Sequence, residues 1–388
     1  MNNFIKGEDM ININLEKIST PAYIIDEGRL IKNLEILDSL QKRTGCKILL
    51  AQKAFANYAL YPLIGKYLKG TAASGLYEAK LGREEMGGEV HVFSPAYLNG
   101  EFEEIVQISD YIIFNSAGQF KKFKGKAGNK QLGLRINPEY SEIENPLYDP
   151  CAPNSRFGVK LADLKENHEI AEELDGLHLH TMCEQDSDVL KRTLEIIDEE
   201  FGEYLALDNI KWINFGGGHL ITRDGYDLAT LEVLIKVIQE KYNVTVYLEP
   251  GEAIALNAGV LAAQVLAFAA GDDLTCAILD ASAACHMPDV LEAPYTPEVF
   301  GAGSPDEKQH KYRLCGNTCL AGDIIGDYSF GDELRVGDKI IFGDMAHYTT
   351  VKNNTFNGMK LPDILLLKQG GGIRVLREFG YEDFKMRL

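Results

Sequence analysis

The stretch Lys47–Ser94, KILLAQKAFANYALYPLIGKYLKGTAASGLYEAKLGREEMGGEVHVFS, carries three short β-rich runs, Lys47–Ala51, Gly70–Ser74 and Val90–Ser94. Two segments of helical spacing, Ala56–Leu68 and Leu76–Met86, lie between them. Strands alternating with helices imply parallel pairing through crossover connections. The same rhythm continues through Tyr111–Asn115, Leu132–Asn137, Gly176–Thr181, Trp212–Gly216 and Val246–Glu249, with helical patterns at Asp188–Phe201 and Leu228–Lys241. Eight such runs within about 200 residues predict a closed (β/α)8 barrel of the TIM kind, with an open doubly wound sheet as the structural alternative.

The rhythm changes near Ala258. Helical patterns become rare, and strand-like runs follow at Thr275–Leu279, Tyr312–Cys315, Lys339–Phe342, Ile364–Lys368 and Ile373–Phe379. Turn signals at Gly331-Asp332, Gly337-Asp338 and Asn357-Gly358 separate some of them. The expected fold class is therefore α/β plus β. The barrel would occupy residues 20–257, and a mostly antiparallel, sandwich-like β domain residues 258–388. Residues 1–19, including Ile11–Ile18, would pack on that second domain because they precede the first barrel strand.

The 388 residues are 45% hydrophobic and 25% charged, the values of an ordinary globular protein long enough for about two domains. No stretch is apolar enough to span a bilayer, and the first residues lack the apolar core of a secretory signal, so a cytoplasmic location is expected. Seven cysteines, Cys46, Cys151, Cys183, Cys276, Cys285, Cys315 and Cys319, are too scattered for a disulfide scaffold. The net charge of −19 disfavours nucleic acid as a partner and favours cationic ligands.

Chemistry in such a barrel sits where the strands end at the C-terminal face. The first strand runs into Lys53, and a lysine in a partly desolvated mouth loses its proton and becomes a nucleophile toward carbonyl groups. The sixth strand carries His178 and His180 on one side, a spacing that also suits a metal-dependent hydrolase. The seventh ends in Gly216-Gly217-Gly218, whose bare backbone N–H groups let a phosphate approach. The eighth ends Glu249-Pro250-Gly251-Glu252, and it closes onto the first, so its carboxylate shares the mouth with Lys53. In the second domain, Gly316–Asp323 and Asp344–Thr349 place a cysteine, acids and a tyrosine on loops, groups suited to acid–base work.

A lysine, a glycine cradle, a carboxylate and a histidine meeting at one barrel mouth resemble the fold-type III pyridoxal-phosphate enzymes, the group of alanine racemase and of ornithine and diaminopimelate decarboxylases. The resemblance runs from Thr20 to the C-terminus. It is carried by Thr20-Pro21-Ala22-Tyr23, Phe215–His219, Glu249–Glu252, His286-Met287-Pro288-Asp289 and Gly316–Asp323. It implies pyridoxal 5'-phosphate as cofactor, with Lys53 holding it covalently, His180 stacking on the pyridine ring and Glu249 pairing with the ring nitrogen. Gly217, Gly218, Ser74 and Tyr348 would hold the phosphate, and Arg135 would lie near the ring hydroxyl. Cys319 would act from a partner subunit in a homodimer with shared active sites. No metal is expected.

Two departures from relatives bear on the substrate. Glu252 stands where many relatives have a phosphate-binding arginine, and Leu320 stands where ornithine decarboxylase has an acid. Glu252, with Asp289 and Asp323 as further candidates, would bind a cationic, polyamine-like tail. The expected activity is decarboxylation of a carboxylated polyamine of the carboxynorspermidine or carboxyspermidine kind. Diaminopimelate or another basic amino acid is the alternative, although burying a distal carboxylate beside these acids is costly. A racemase on the same fold and a non-catalytic relative stay as further readings.

Overall fold

The computed structural model of the chain describes residue 16 and residues 18–388. It divides into two compact units. One is Lys32–Ile254; the other joins the described residues up to Ile31 with Ala255–Leu388. Apart from Glu16 and Ile18, the segment Ile11–Ile18 lies outside the described residues.

The first unit is a closed parallel barrel of eight strands. With the N-terminal strand Ala22–Asp26 numbered β1, the barrel strands are β2 (Lys47–Ala51), β3 (Gly70–Ala73), β4 (Glu89–Phe93), β5 (Tyr111–Phe114), β6 (Gln131–Arg135), β7 (Gly176–His178), β8 (Trp212–Asn214) and β9 (Thr245–Leu248). Closure is made by β9 on β2, Lys47 beside Tyr247 and Ile48 beside Leu248. The expected helices near β8 form as Ser187–Leu205 and Leu228–Tyr242. Ala56–Leu68 does not become one helix: it holds only the turns Tyr58–Leu60 and Tyr61–Ile64. Pro62 has no N–H to donate into a preceding helical turn, and Gly65 follows at once.

Side chains fill the barrel in layers. Leu49, Ile113, Trp212 and Tyr247 form one of them. The indole of Trp212, on β8, fits only because the two preceding strands, β6 and β7, carry glycine. A Cβ on Gly176 would stand 2.1 Å from the ring, and one on Gly133 2.3 Å from it. Toward the N-terminal end a polar cluster centres on Glu89. Lys47 Nζ lies 2.5 Å from its Oε1, while the Tyr247 hydroxyl (3.0 Å) donates to its Oε2 and His91 Nε2 lies 3.2 Å from it.

The second unit is a nine-stranded, mostly antiparallel sheet among the described residues. Its further strands are β10 (Gly259–Ala269), β11 (Thr275–Leu279), β12 (Ala302–Gly303), β13 (His310–Cys315), β14 (Ile324–Phe330), β15 (Lys339–Phe342), β16 (Asp363–Leu367) and β17 (Ile373–Arg377). The order is β12-β14-β13-β11-β10-β1-β16-β17, with β15 also on β10. β1 therefore belongs to this sheet, antiparallel to β10 and parallel to β16, and not to the barrel whose start was expected at residue 20. Four strands, β1, β10, β12 and β14, have no counterpart among the predicted runs. β10 is rich in alanine, which has little strand preference, yet it is central and nearly fully buried over Gly259–Val265. The core beneath includes Tyr23, Leu261, Val265, Leu279, Leu314 and Phe342.

The glycine–tryptophan fit makes a prediction. Gly176→Ala should overpack the barrel and lower stability by about 1–3 kcal/mol, read as an earlier midpoint in urea unfolding. Gly100→Ala, at a site where a Cβ meets nothing within 4 Å, should leave that midpoint in place.

Candidate active site

The barrel brings Lys53, Arg135, His178, His180, the glycine run and Glu249 to the C-terminal ends of its strands. Lys53 follows β2, and its Nζ lies 3.5 Å from Nε2 of His180. The amine is reachable from solvent but closely walled by protein. Burial pushes it below the usual lysine range, the charge of Arg135 adds to this, and Glu249, Cys183 and Glu78 pull the other way. His180 Nδ1 accepts the Gly217 N–H at 3.0 Å. A backbone amide is a permanent donor, so the ring proton of a neutral His180 stands on Nε2, facing Lys53. Burial, then the charges of Lys53 and Arg135, hold His180 well below its ordinary value. An Nε2–H directed at Lys53 suits an unprotonated amine.

Glu249 follows β9. Its Oε1 accepts the Asn214 amide N–H at 2.7 Å, and its Oε2 lies 3.2 Å from His178 Nε2. Burial raises its pKa, but the contact and hydrogen bond with His178, then His91 and Asn214, outweigh this and hold it at about 2. His178 itself is lowered by burial against the pull of Glu249. A neutral imidazole donating from Nε2 to an ionised carboxylate satisfies both directions. Arg135 is sandwiched between Phe93 and Phe157, its guanidinium carbon 4.7 and 4.6 Å from the ring centres, and it donates to the His180 carbonyl at 3.3 Å. Burial lowers it to about 10.

The run Gly216-Gly217-Gly218 is required by space at every position. A Cβ would meet the carbonyl oxygens of Leu179 at 2.4 Å, Glu249 at 2.4 Å and Met182 at 1.9 Å, respectively, and Gly216 and Gly218 have φ of +70° and +85°. At the next loop, Ala51 donates its N–H to the Pro250 carbonyl at 3.1 Å, and a Cβ on Gly251 would lie 2.5 Å from that of Ala54. The loop carrying Glu252 is thus packed on the residue after Lys53. Ser74, after β3, has its N–H held by the Glu78 carboxylate at 2.5 Å. Three residues of this mouth were not singled out from sequence: Asn214, Phe93 and Cys183, whose thiol burial pushes up to about 11. The first two stand at strand ends with inward-facing side chains, the one signal that marked them.

The remaining expected residues lie in the second unit. Asp323, expected to meet a substrate amine, is buried and already accepts from the Ser282 hydroxyl (2.8 Å), the Thr318 hydroxyl (2.6 Å) and the Ala284 N–H (3.2 Å). It is a tie for its loop. Asp289, expected in the same role, is ion-paired with Lys352, which also holds Glu292 at 2.6 Å. Cys319 is exposed, with its N–H given to Asn357 Oδ1 at 2.6 Å. Tyr348 stands at φ +46°, as the N-cap of the helical turn Thr349–Lys352. His178 Nε2 faces Glu249, and His180 lies between the Gly217 N–H and Lys53. Among the described residues no group of three or more His, Cys, Asp or Glu is placed to hold a metal ion, and no helix is long and apolar enough to cross a membrane.

Residues 22–346 match the family model described as pyridoxal-dependent decarboxylase, C-terminal sheet domain. The chain belongs to this family of pyridoxal-dependent decarboxylases. It is 44% identical to the carboxynorspermidine/carboxyspermidine decarboxylase of Campylobacter jejuni, over 96% of this chain and 99% of the relative. It is 42% identical to the carboxyaminopropylagmatine decarboxylase of Synechocystis sp., over 97% of each. The crystal structure of carboxynorspermidine decarboxylase from Campylobacter jejuni complexed with norspermidine superposes with a TM-score of 0.89 at 43% identity, covering 96% of this chain and all of that one. The enzyme is accordingly a pyridoxal-phosphate-dependent carboxy-lyase. The mouth fits that cofactor: a lysine depressed toward its free base, a glycine cradle that any Cβ would fill, and an ionised carboxylate whose two oxygens each keep a free lone pair.

Two predictions follow from this geometry. Gly218→Ala should weaken pyridoxal phosphate binding about tenfold or more through left-handed strain and the clash with Met182. Gly225→Ala, with φ +82° but nothing within 4 Å, carries the strain alone, so equilibrium dialysis of both variants isolates the cradle. The second concerns acid stability. His219, pushed down to about 4 by burial, joins His91, His178 and His180, also lowered by burial. The unfolded chain protonates these groups at about 6.5, so it binds more protons than the native state below that pH. The stability they give is full above about pH 6.5 and is lost as the pH falls below it, toward 4 for His219, at up to about 1.4 kcal/mol per pH unit for each histidine. Urea midpoints of the cofactor-free protein should fall between pH 7 and pH 5.

Proposed function

We propose that this enzyme decarboxylates carboxynorspermidine and carboxyspermidine, giving norspermidine and spermidine in polyamine biosynthesis. The observation that carries the reading is the near-full-length likeness to the Campylobacter jejuni enzyme. Glu252 supports it, as a carboxylate on the loop whose Gly251 packs on Ala54, the residue after Lys53. A net charge of −19 also raises the local concentration of polycations. The likeness to the Synechocystis sp. enzyme favours a second reading, a tail ending in a guanidinium, which Glu252 pairs with equally well.

Pyridoxal phosphate, when bound, supplies a protonated pyridine ring able to take up the electron pair released as the carboxylate leaves as carbon dioxide. The chain's own groups set this up. Lys53 would be the nucleophile that holds the cofactor's aldehyde carbon and would give way to the substrate amine. Glu249 would stay ionised and keep a proton on the ring nitrogen. His180 would stack on the ring, Arg135 would stand near its hydroxyl, and Gly217, Gly218, Ser74 and Tyr348 would hold the phosphate. Cys319 of the partner subunit returns a proton from its thiol to the α-carbon, which makes the working unit a homodimer, placed in the cytoplasm. Glu252 pairs with a cationic nitrogen of the tail.

The test is carbon dioxide release from carboxynorspermidine, carboxyspermidine, carboxyaminopropylagmatine, diaminopimelate, ornithine, arginine and lysine, side by side. Release from the first two above all others is expected. Release mainly from the third would install the guanidinium reading, and release mainly from the last four would discard the substrate argument. Lys53→Ala should abolish turnover. Glu252→Gln should raise KM for the polyamine substrate about tenfold or more with kcat little changed, the loss of one charge-assisted hydrogen bond.

A further inference from the structure

We infer that His178 is a positioning residue for the decarboxylation: by donating from Nε2 to Oε2 of Glu249, it keeps that carboxylate ionised and aimed, and so keeps the proton on the cofactor's ring nitrogen. The inference rests on the reading of Glu249 as the partner of that nitrogen.

The geometry leaves His178 one protonation state. Its side chain is only 2% exposed, and its ring packs nearly parallel on Phe93 at 5.6 Å, with Arg135 on the same phenyl ring. Nε2 lies 3.2 Å from Glu249 Oε2, whereas Nδ1 is buried with no hydrogen-bond partner. A second proton on Nδ1 would be a buried donor with nothing to accept it, beside the guanidinium of Arg135. The single proton of the neutral ring therefore belongs on Nε2. A donor there demands an acceptor opposite, which a protonated carboxyl oxygen serves poorly. Asn214 does the same for Oε1 at 2.7 Å and is itself fixed by accepting the Gly216 N–H at 2.8 Å. The titratable and charged groups facing His178 are Glu249 from β9, Arg135 from β6 and His91 from β4. None of them offers Nδ1 a carboxylate. Held by one donor on each oxygen, the carboxylate has one direction left for each remaining lone pair.

The test compares His178→Leu, which removes the donor, with His178→Gln, which keeps one N–H at similar reach and cannot ionise. Glu249→Gln serves as reference. Each holoenzyme is made with pyridoxal phosphate and with its 1-deaza analogue, in which C–H replaces the ring nitrogen. The readouts are the cofactor dissociation constant by equilibrium dialysis and the pH profile of kcat. With pyridoxal phosphate, His178→Leu should loosen the cofactor and lower kcat about ten- to a hundredfold, the range of a lost charge-assisted hydrogen bond. Its acid limb should move to higher pH, because Glu249 takes up a proton more readily. With the deaza analogue both effects should vanish, and His178→Gln should restore most of the loss with the natural cofactor. An equal loss with both cofactors, or a Gln variant as impaired as the Leu variant, overturns the inference. If Glu249→Gln is itself indifferent to the ring nitrogen, the reading of Glu249 fails, and that result differs from one in which Glu249 depends on the nitrogen and His178 does not.

Discussion

A carboxylate buried at the end of a barrel strand is unfavourable unless donors surround it, and much of the mouth is arranged around that need at Glu249. Asn214 and His178 each meet one oxygen. Asn214 is steadied by the first glycine of the cradle, and the Glu249 N–H is given back to the Gly216 carbonyl at 2.7 Å. The same glycine run fixes His180 through Gly217, and His180 faces Lys53. Charge at one side of the mouth and loss of charge at the other are thus joined by a short chain of hydrogen bonds. The acid stays ionised because donors meet it, whereas the lysine is pushed below its usual range first by burial and then by the charge of Arg135, against the pull of Glu249, Cys183 and Glu78.

The barrel tolerates this polar mouth because its middle is packed tightly. Trp212 lies over the glycines of two neighbouring strands, and Leu49, Ile113 and Tyr247 complete the layer. Below it Glu89 gathers Lys47, Tyr247 and His91, and it too is held at about 2 although burial opposes the charge. Two buried acids, one at each end of the barrel axis and each with a histidine neighbour, are separated by an aromatic plug. Both follow one rule: an acid stays ionised indoors when fixed donors converge on it.

Much of this was legible in the sequence because strand-ending residues in a parallel barrel are read directly from chain order. Lys53, His180, the glycine run and Glu249 all follow β-rich runs, and all stand at one mouth. What was not legible came from pairing between distant segments. The value of His178 lies in Glu249, and two histidines at alternate positions read equally well as a metal pair. Asp289 and Asp323 looked available because sequence does not display Lys352 or the hydroxyls of Ser282 and Thr318 beside them. β10 was hidden by its alanines, since burial by neighbours on both sides, and not intrinsic preference, makes it a strand. β1 was assigned to the wrong unit because proximity in sequence to the barrel says nothing about which sheet it joins.

The pairing of β1 with both β10 and β16 has a consequence for how the protein is made. The sheet is assembled from opposite ends of the chain, and the barrel is an insertion between its first strand and the next. During synthesis every barrel strand leaves the ribosome before β10 exists, while β1 waits with its backbone donors and acceptors unmatched. The barrel is the unit able to fold first, from contacts closer along the chain. The sheet, which needs β16, is finished only after Asp363–Leu367 has been made. A ribosome stalled or a message truncated before Asp363 would therefore release a protein with a formed barrel and an open edge at its own N-terminal strand, the kind of exposed strand that recruits other chains.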